Sequence, residues 1–179
     1  MNRKRKAKIT DKFKRPAVFL DRDGTINYDE GYTYKFSKFK FRPFVIKGLK
    51  YLSKKNYYIF IVTNQAGIAK GKFKMSDLLL LNRKLKKYLR EKGITINEIQ
   101  YCPYHPKAII KRYKKKTNLR KPGNLMIKKI LKKRKINLKK SFMIGDQKKD
   151  EIAAKKSKLY FEYVSRNFFS QVKNITNNY

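Results

Sequence analysis

Apolar residues along this chain follow two different periods. Short continuous apolar runs occupy 17–20, 58–62 and 142–144, the pattern of strands buried on both faces, and shorter candidates lie at 98–101 and 159–164. Between them the spacing turns helical. Pro43 can open a helix whose apolar face is Phe44, Val45, Leu49 and Leu52 and whose end is Asn56. Ser76 is placed to cap a second helix, with Leu78, Leu81, Leu85 and Leu89 as its stripe and Gly93 as its stop. Two more helices are expected at about 123–135 and 149–156. Residues 63–74 read as a loop, and 102–121 as a Pro- and Lys-containing loop too long for a mere connection. The order βαβαβ, loop, αβαβ predicts the α/β class with a doubly wound, Rossmann-like parallel sheet. It gives a basic arm at 1–15, one domain at 16–170 and a C-terminal tail at 171–179, frayed from 174 onward.

Charge complicates this ordinary pattern. Lys and Arg number 49 against 12 Asp and Glu, a formal charge of +37. Such a field attracts polyanions. Yet 38 Lys, 17 Ile, 13 Asn, 13 Tyr and 12 Phe make up 93 of 179 residues, beside only 7 Ala and 8 Gly. All five over-used residues have codons rich in A and T, so base composition accounts for much of the charge without a ligand. The 41% hydrophobic content excludes a disordered polycation. No run approaches the roughly 20 apolar residues of a membrane helix. The basic start lacks the apolar core of an export signal, and one cysteine, Cys102, makes no intramolecular disulfide. A cytoplasmic protein with no membrane partner is expected.

The scarce acids are more informative than the abundant lysines. Asp21, Asp23, Asp29 and Glu30 lie within ten residues, and Asp146, Asp150 and Glu151 within six. Each group directly follows an apolar run, and ligands in open α/β sheets bind at such C-terminal strand ends. Asp21 and Asp23, at i and i+2 before Gly24, can act as a nucleophile attacking phosphorus and as the acid/base that serves leaving group and water. Asp146 on a neighbouring strand can complete an oxygen-rich magnesium site.

The ordered segments Asp21-Arg22-Asp23-Gly24-Thr25-Ile26-Asn27, Val62-Thr63-Asn64-Gln65, Arg120-Lys121-Pro122 and Gly145-Asp146 with Asp150 resemble the four motifs of the haloacid dehalogenase superfamily of phosphatases. Residues 29–32, 63–71 and 102–106 are similar to its heptose bisphosphate phosphatases, with histidinol-phosphate phosphatases as close relatives. The resemblance implies a haloacid dehalogenase fold with minimal cap, and a monomer acting on a small phosphorylated sugar in lipopolysaccharide carbohydrate metabolism. It implies Asp21, Asp23, Thr63 and Lys121 as catalytic residues, and Asp21, Asp23 and Asp146 as magnesium ligands. The substrate would be held by Asp29, Glu30, Gly31, Tyr32, Thr63, Asn64, Gln65, Ala66, Arg120 and Lys121. Asp150 is expected to orient Lys121 or the metal shell.

Two departures qualify the resemblance. The family's zinc ligands correspond here to Cys102, Tyr104, Thr117 and Leu119, three of them replaced, and His105 with Cys102 cannot close a structural site. No zinc is therefore expected, and the loop is either packed by tyrosines or mobile. Gln147 stands where relatives often carry Lys after the fourth-motif Asp, which removes a cation from the substrate side. The alternatives are histidinol phosphate as substrate, or a nucleic-acid-binding protein or polynucleotide end phosphatase. No nucleic-acid reading motif is present and the cations fall on every element, so nucleic acid is expected to bind only nonspecifically.

Overall fold

The computed structural model describes residues 14–178. Nearly all of the basic arm thus lies outside the described residues. Arg15, its last member, is anchored: Nη2 donates to Tyr57 O at 2.8 Å, Nε donates to Asn56 O, and the guanidinium lies 4.2 Å from the Tyr58 ring centroid.

Five parallel strands form one sheet in the order β3-β2-β1-β4-β5, with β1 Ala17–Leu20, β2 Tyr58–Asn64, β3 Glu98–Cys102, β4 Phe142–Gly145 and β5 Tyr160–Tyr163. The helices are α1 Val45–Lys54, the single turn α2 Ala66–Ala69, α3 Met75–Glu91, α4 Leu125–Lys133, α5 Lys148–Lys156 and α6 Phe168–Asn177. Strand alternation sends Val18, Leu20, Ile59, Ile61 and Ile144 to a core shared with α1, α3 and α6. Ala17, Phe19, Phe60, Val62 and Met143 face the opposite way, onto α4 and α5. With both faces covered the strands carry no polar alternation, which is why the runs read as continuously apolar.

Four local expectations differ from the fold. Phe44 is not on the buried face of α1: it turns left-handed (φ 61°) just before the helix and is half exposed. Ser76 does not cap α3, which already includes Met75; the Lys74 amide donates instead to Asp77 Oδ2 at 2.8 Å. Residues 63–74 are not simply loop, because β2 runs to Asn64 and α2 follows. The end of the chain is not frayed from 174, because α6 crosses the expected tail boundary and buries Val172 and Ile175 against α1. Its four buried residues recur at helical spacing, 168, 171, 172 and 175, a period that the polar Gln171 obscures in the sequence.

Register places the chemistry. Leu20 pairs with Ile144 and Asp21 N donates to Ile144 O at 3.1 Å, so Asp21 and the Gly145-Asp146 pair leave adjacent strands at one edge of the sheet. Thr63 and Asn64 arrive at the same edge from β2 on the other side of β1.

Candidate active site

Asp21 is buried at the end of β1, only 5% exposed. Lys121 Nζ lies 2.9 Å from its Oδ1 and 2.6 Å from Asp150 Oδ1, so one buried cation is shared by two buried carboxylates. Lys121 is in turn held through its backbone: Asn64 Nδ2 donates to Lys121 O and Lys121 N donates to Asn64 Oδ1, both at 3.0 Å. Burial pushes the Asp21 carboxyl up to about 6, against the opposing pull of Lys121 and with a further push from Asp150. Lys121 is held above its ordinary range; burial opposes that shift, but the two carboxylates outweigh it.

Asp23 sits in a different environment. Arg22, fully buried, donates from Nε (3.1 Å) and Nη2 (2.9 Å) to its two oxygens. Gln65 Nε2 adds 2.8 Å to Oδ2, and Asn27 Nδ2 adds 3.1 Å to Oδ1. Gln65 Nε2 also reaches Thr63 Oγ1 at 2.9 Å, tying the acid/base candidate to the hydroxyl expected to hold phosphate. Arg22 continues to Thr33 O (2.8 Å) and Gln65 Oε1 (3.2 Å), so the network fixes the loop after β1 as well. Four donors thus occupy the two carboxylate oxygens.

Asp21, Asp146 and Asp150 offer oxygens within 4.8 Å of one another. They fit a hard cation unequally. Asp150 is already engaged by Lys121 and by the Gln147 amide (3.1 Å to Oδ2), whereas Asp146 Oδ1 is buried without a hydrogen-bond partner. An orphaned carboxylate oxygen is the donor that a magnesium ion would satisfy. Burial raises the Asp146 carboxyl as well, aided by Asp150. Gly24 makes the approach possible: a Cβ there would stand 2.3 Å from Asp146 Oδ2, and its φ of 81° disfavours any side chain.

The cluster opens into a cleft of about 390 Å³. Of the residues expected to hold substrate, Asp29, Gly31, Tyr32, Thr63, Asn64, Gln65, Ala66 and Arg120 line it, while Lys121 lies beneath, against Asp21. Glu30 does not line it. Its exposed carboxylate pairs with Lys40 at 2.7 Å, because the left-handed Gly31 and Tyr32 turn the chain away after it. Asn64 and Gln65 line the cleft but spend their side-chain amides inside the protein, on Lys121, Asp23 and Thr63. Three contributors were not singled out in the sequence. Arg22 is the cation between two motif acids, Asn27 is the last residue of the first motif, and Lys149 lines the cleft from the first turn of α5. The first two carry a sequence signal, an Arg set between two Asp and an Asn that closes the first motif.

The loop after β3 packs on aromatics. Tyr104 and Tyr113 approach to 6.2 Å between ring centroids, His105 N donates to Tyr113 O, and Cys102 is buried with its thiol raised by burial. Tyr104, Thr117 and Leu119 offer none of the thiolate or imidazole ligands of a zinc loop.

Comparison with known proteins agrees with this geometry. Residues 17–175 match the family model Polynucleotide kinase 3 phosphatase. The chain is 42% identical over 144 residues to the D-glycero-beta-D-manno-heptose-1,7-bisphosphate 7-phosphatase of Photorhabdus laumondii, covering 80% of this chain and 77% of that protein. It is 36% identical over 139 residues to the enzyme of the same name from Escherichia coli K12, covering 78% and 73%. The crystal structure of D,D-heptose 1.7-bisphosphate phosphatase from B. bronchiseptica, complexed with magnesium and phosphate, superposes with a TM-score of 0.80 at 19% identity, covering 92% of this chain and 99% of that one. With the motif acids gathered at one sheet edge and the match running through the whole described domain, this chain belongs to the polynucleotide kinase 3 phosphatase family of haloacid dehalogenase-type phosphatases, alongside the heptose bisphosphate phosphatases.

Proposed function

We propose that this protein removes the C7 phosphate of D-glycero-D-manno-heptose 1,7-bisphosphate, as a cytoplasmic monomer in carbohydrate supply for lipopolysaccharide. The observation that carries the reading is Asp21, buried between Lys121 and the orphaned Asp146 oxygen at the floor of a polar cleft, together with relatives of that name at 36–42% identity. No helix is long and apolar enough to cross a membrane among the described residues.

The chemistry follows from the placements. An Asp21 oxygen attacks phosphorus, the P–O bond to the sugar breaks, and the departing C7 oxygen takes a proton from Asp23. Water, deprotonated by Asp23, then attacks the aspartyl-phosphate and releases inorganic phosphate. Thr63 and Lys121 hold the phosphoryl oxygens while charge shifts between them. Magnesium, held by Asp21, Asp146 and the Asp23 backbone carbonyl, would offset the negative charge of phosphate beside carboxylate. Asp150 keeps Lys121 cationic and aimed at Asp21. Asp23 must gain a proton within a saturated cage, so Gln65 or Asn27 has to give way when substrate enters. We place no zinc in the loop after β3, whose aromatic packing takes over the role of the family's metal.

The test is phosphate release from heptose 1,7-bisphosphate, histidinol phosphate and a 3′-phosphorylated oligonucleotide, with and without magnesium. Magnesium-dependent release from the heptose at a kcat/KM at least tenfold above the other two is expected. Equal or better turnover of either alternative would overturn the assignment.

A further inference from the structure

Arg22 is among the largest fully buried side chains of the protein, yet no step of the proposed reaction involves it. A buried ion pair is weak support for a fold, because taking both charges out of water can cost more than their attraction returns. This one is also incomplete, since the guanidinium Nη1 has no hydrogen-bond partner. Stability alone gives little reason for an arginine here.

Its contacts have one sense, because arginine carries five N–H donors and no acceptor. Nη2 faces Asp23 Oδ2 at 2.9 Å, Thr33 O at 2.8 Å and Gln65 Oε1 at 3.2 Å. The last of these decides which way round the Gln65 amide stands. With Oε1 turned to the guanidinium, Nε2 donates to Asp23 Oδ2 at 2.8 Å and to Thr63 Oγ1 at 2.9 Å. Half a turn of the amide would set N–H against N–H at Arg22 and oxygen against oxygen at Asp23, so both ends reject it. The Gln65 backbone is fixed as well, its N donating to Cys102 O at 2.8 Å.

The consequence falls on Thr63. Its Oγ1 accepts from Gln65 and donates to no acceptor among the described residues, so the hydroxyl proton is left over. Thr63 lines the cleft together with Asp21, and that proton is available to an oxygen placed there. A hydroxyl with no such donor behind it could instead turn its lone pairs to the cleft, where they repel an anion.

We infer that Arg22 is a positioning residue for phosphoryl transfer: by locking the Gln65 amide it fixes the Thr63 hydroxyl as a donor to the phosphoryl group. The inference rests on the phosphatase reading above and assigns the residue that sets the sense of the hydrogen bonds in that site. Gln65 is thereby held in place, and Asn27, whose Nδ2 also has Tyr28 O at 2.8 Å, is the donor that gives way at Asp23.

Orthovanadate adopts the five-coordinate geometry of a phosphoryl group in transfer, so its inhibition constant with magnesium reads the grip on those oxygens whatever the sugar. It is measured against hydrolysis of para-nitrophenyl phosphate. Arg22→Lys keeps a cation beside Asp23 but gives up the planar fork, and is expected to weaken vanadate about tenfold. kcat should fall with it while KM hardly moves, the mark of a contact made in the transition state. Thr63→Val alone is expected to weaken vanadate by at least about tenfold. In the Thr63→Val background, Arg22→Lys should then change the constant less than about twofold, because the hydroxyl that it serves is gone. If Arg22→Lys does not fold, Gln65→Met combined with Thr63→Val makes the same cycle with the same expectation. A loss of equal size in both backgrounds would overturn the positioning role, and so would unchanged vanadate affinity in Arg22→Lys. Hydrolysis of para-nitrophenyl phosphate without turnover of the heptose refutes only the heptose assignment, and the cycle is read as before. An unmodified protein that hydrolyses neither and binds no vanadate refutes the phosphatase reading and the role of Arg22 with it.

Discussion

Two segments at the same edge of the sheet are held in opposite ways. At the ends of β1 and β4, Asp21, Lys121 and Asp150 are buried and lock one another by charge, with Asn64 fixing the Lys121 backbone. In the loop after β3 the contacts are local and replaceable: a tyrosine pair, Lys115 over the Tyr104 ring, Leu119 N donating to Thr117 Oγ1, and His105 Nδ1 accepting from Lys107 N. Removing Lys121 from the first set leaves two carboxylates uncompensated in the interior; removing one member of the second leaves a smaller hydrophobic contact. The difference explains how the loop can do without a metal-ligand set while the catalytic motifs stand complete.

The comparison is sharpened most by Asp21→Asn. Loss of the proposed nucleophile is expected to lower kcat by at least about 10⁴-fold, while the melting temperature holds or rises, since a raised carboxyl is one the fold disfavours in its charged form. Phosphate release and a thermal melt on the same sample check both halves. A large drop in melting temperature would mean that Asp21 is structural. Next comes Lys121→Met, which strands Asp21 and Asp150 together without a cation. A destabilisation of about 3–5 kcal/mol in urea is expected. Further replacing Asp150 by Asn in that variant should recover part of the stability but no activity.

The strands and the motif acids were legible because both are written locally. A run such as Ala17-Val18-Phe19-Leu20 has no polar alternation, and in a chain so short of acids the two carboxylate groups stood out at strand ends. What was not legible depends on neighbours distant in sequence. Gln65 and Asn64 carry amides that could equally read a sugar, and only their bonds to Asp23, Thr63 and Lys121 show them turned inward. Lys149 was one lysine among 38 until the fold aimed it at the cleft. Helix α6 was masked because its buried stripe includes Gln171, whose amide is satisfied by Glu162 and Tyr163 O from β5, a pairing that no local pattern reveals.

Proton linkage provides a smaller effect. Asp21 has its folded pKa raised to about 6 from an ordinary 3.8, and Asp146 is raised too. A raised carboxyl favours the folded state when protonated, so in metal-free protein this contribution is complete below pH 3.8 and is lost as pH climbs through about 6. Magnesium binds the ionised form and must displace those protons at low pH. The melting-temperature gain on adding magnesium is therefore expected to grow by several degrees between pH 5 and pH 7.5, measured against the same samples with chelator. An equal gain at both pH values would place the metal elsewhere than on Asp21 and Asp146.

The smallest effects belong to the loop after β3. Tyr104→Ala is expected to cost on the order of 1 kcal/mol, the worth of an aromatic pair beyond its buried area. It should leave kcat within about threefold, because Asn64, not the loop, fixes the Lys121 backbone. Arg120 nevertheless closes the loop, its amide donating to Thr117 O at 3.2 Å, so KM should rise more than kcat falls. A chelator selective for zinc over magnesium should shift neither the melting temperature nor turnover of the unmodified protein. A loss of several degrees on chelation would show that Cys102 and His105 still recruit zinc, and the two segments would then be held by charge alike.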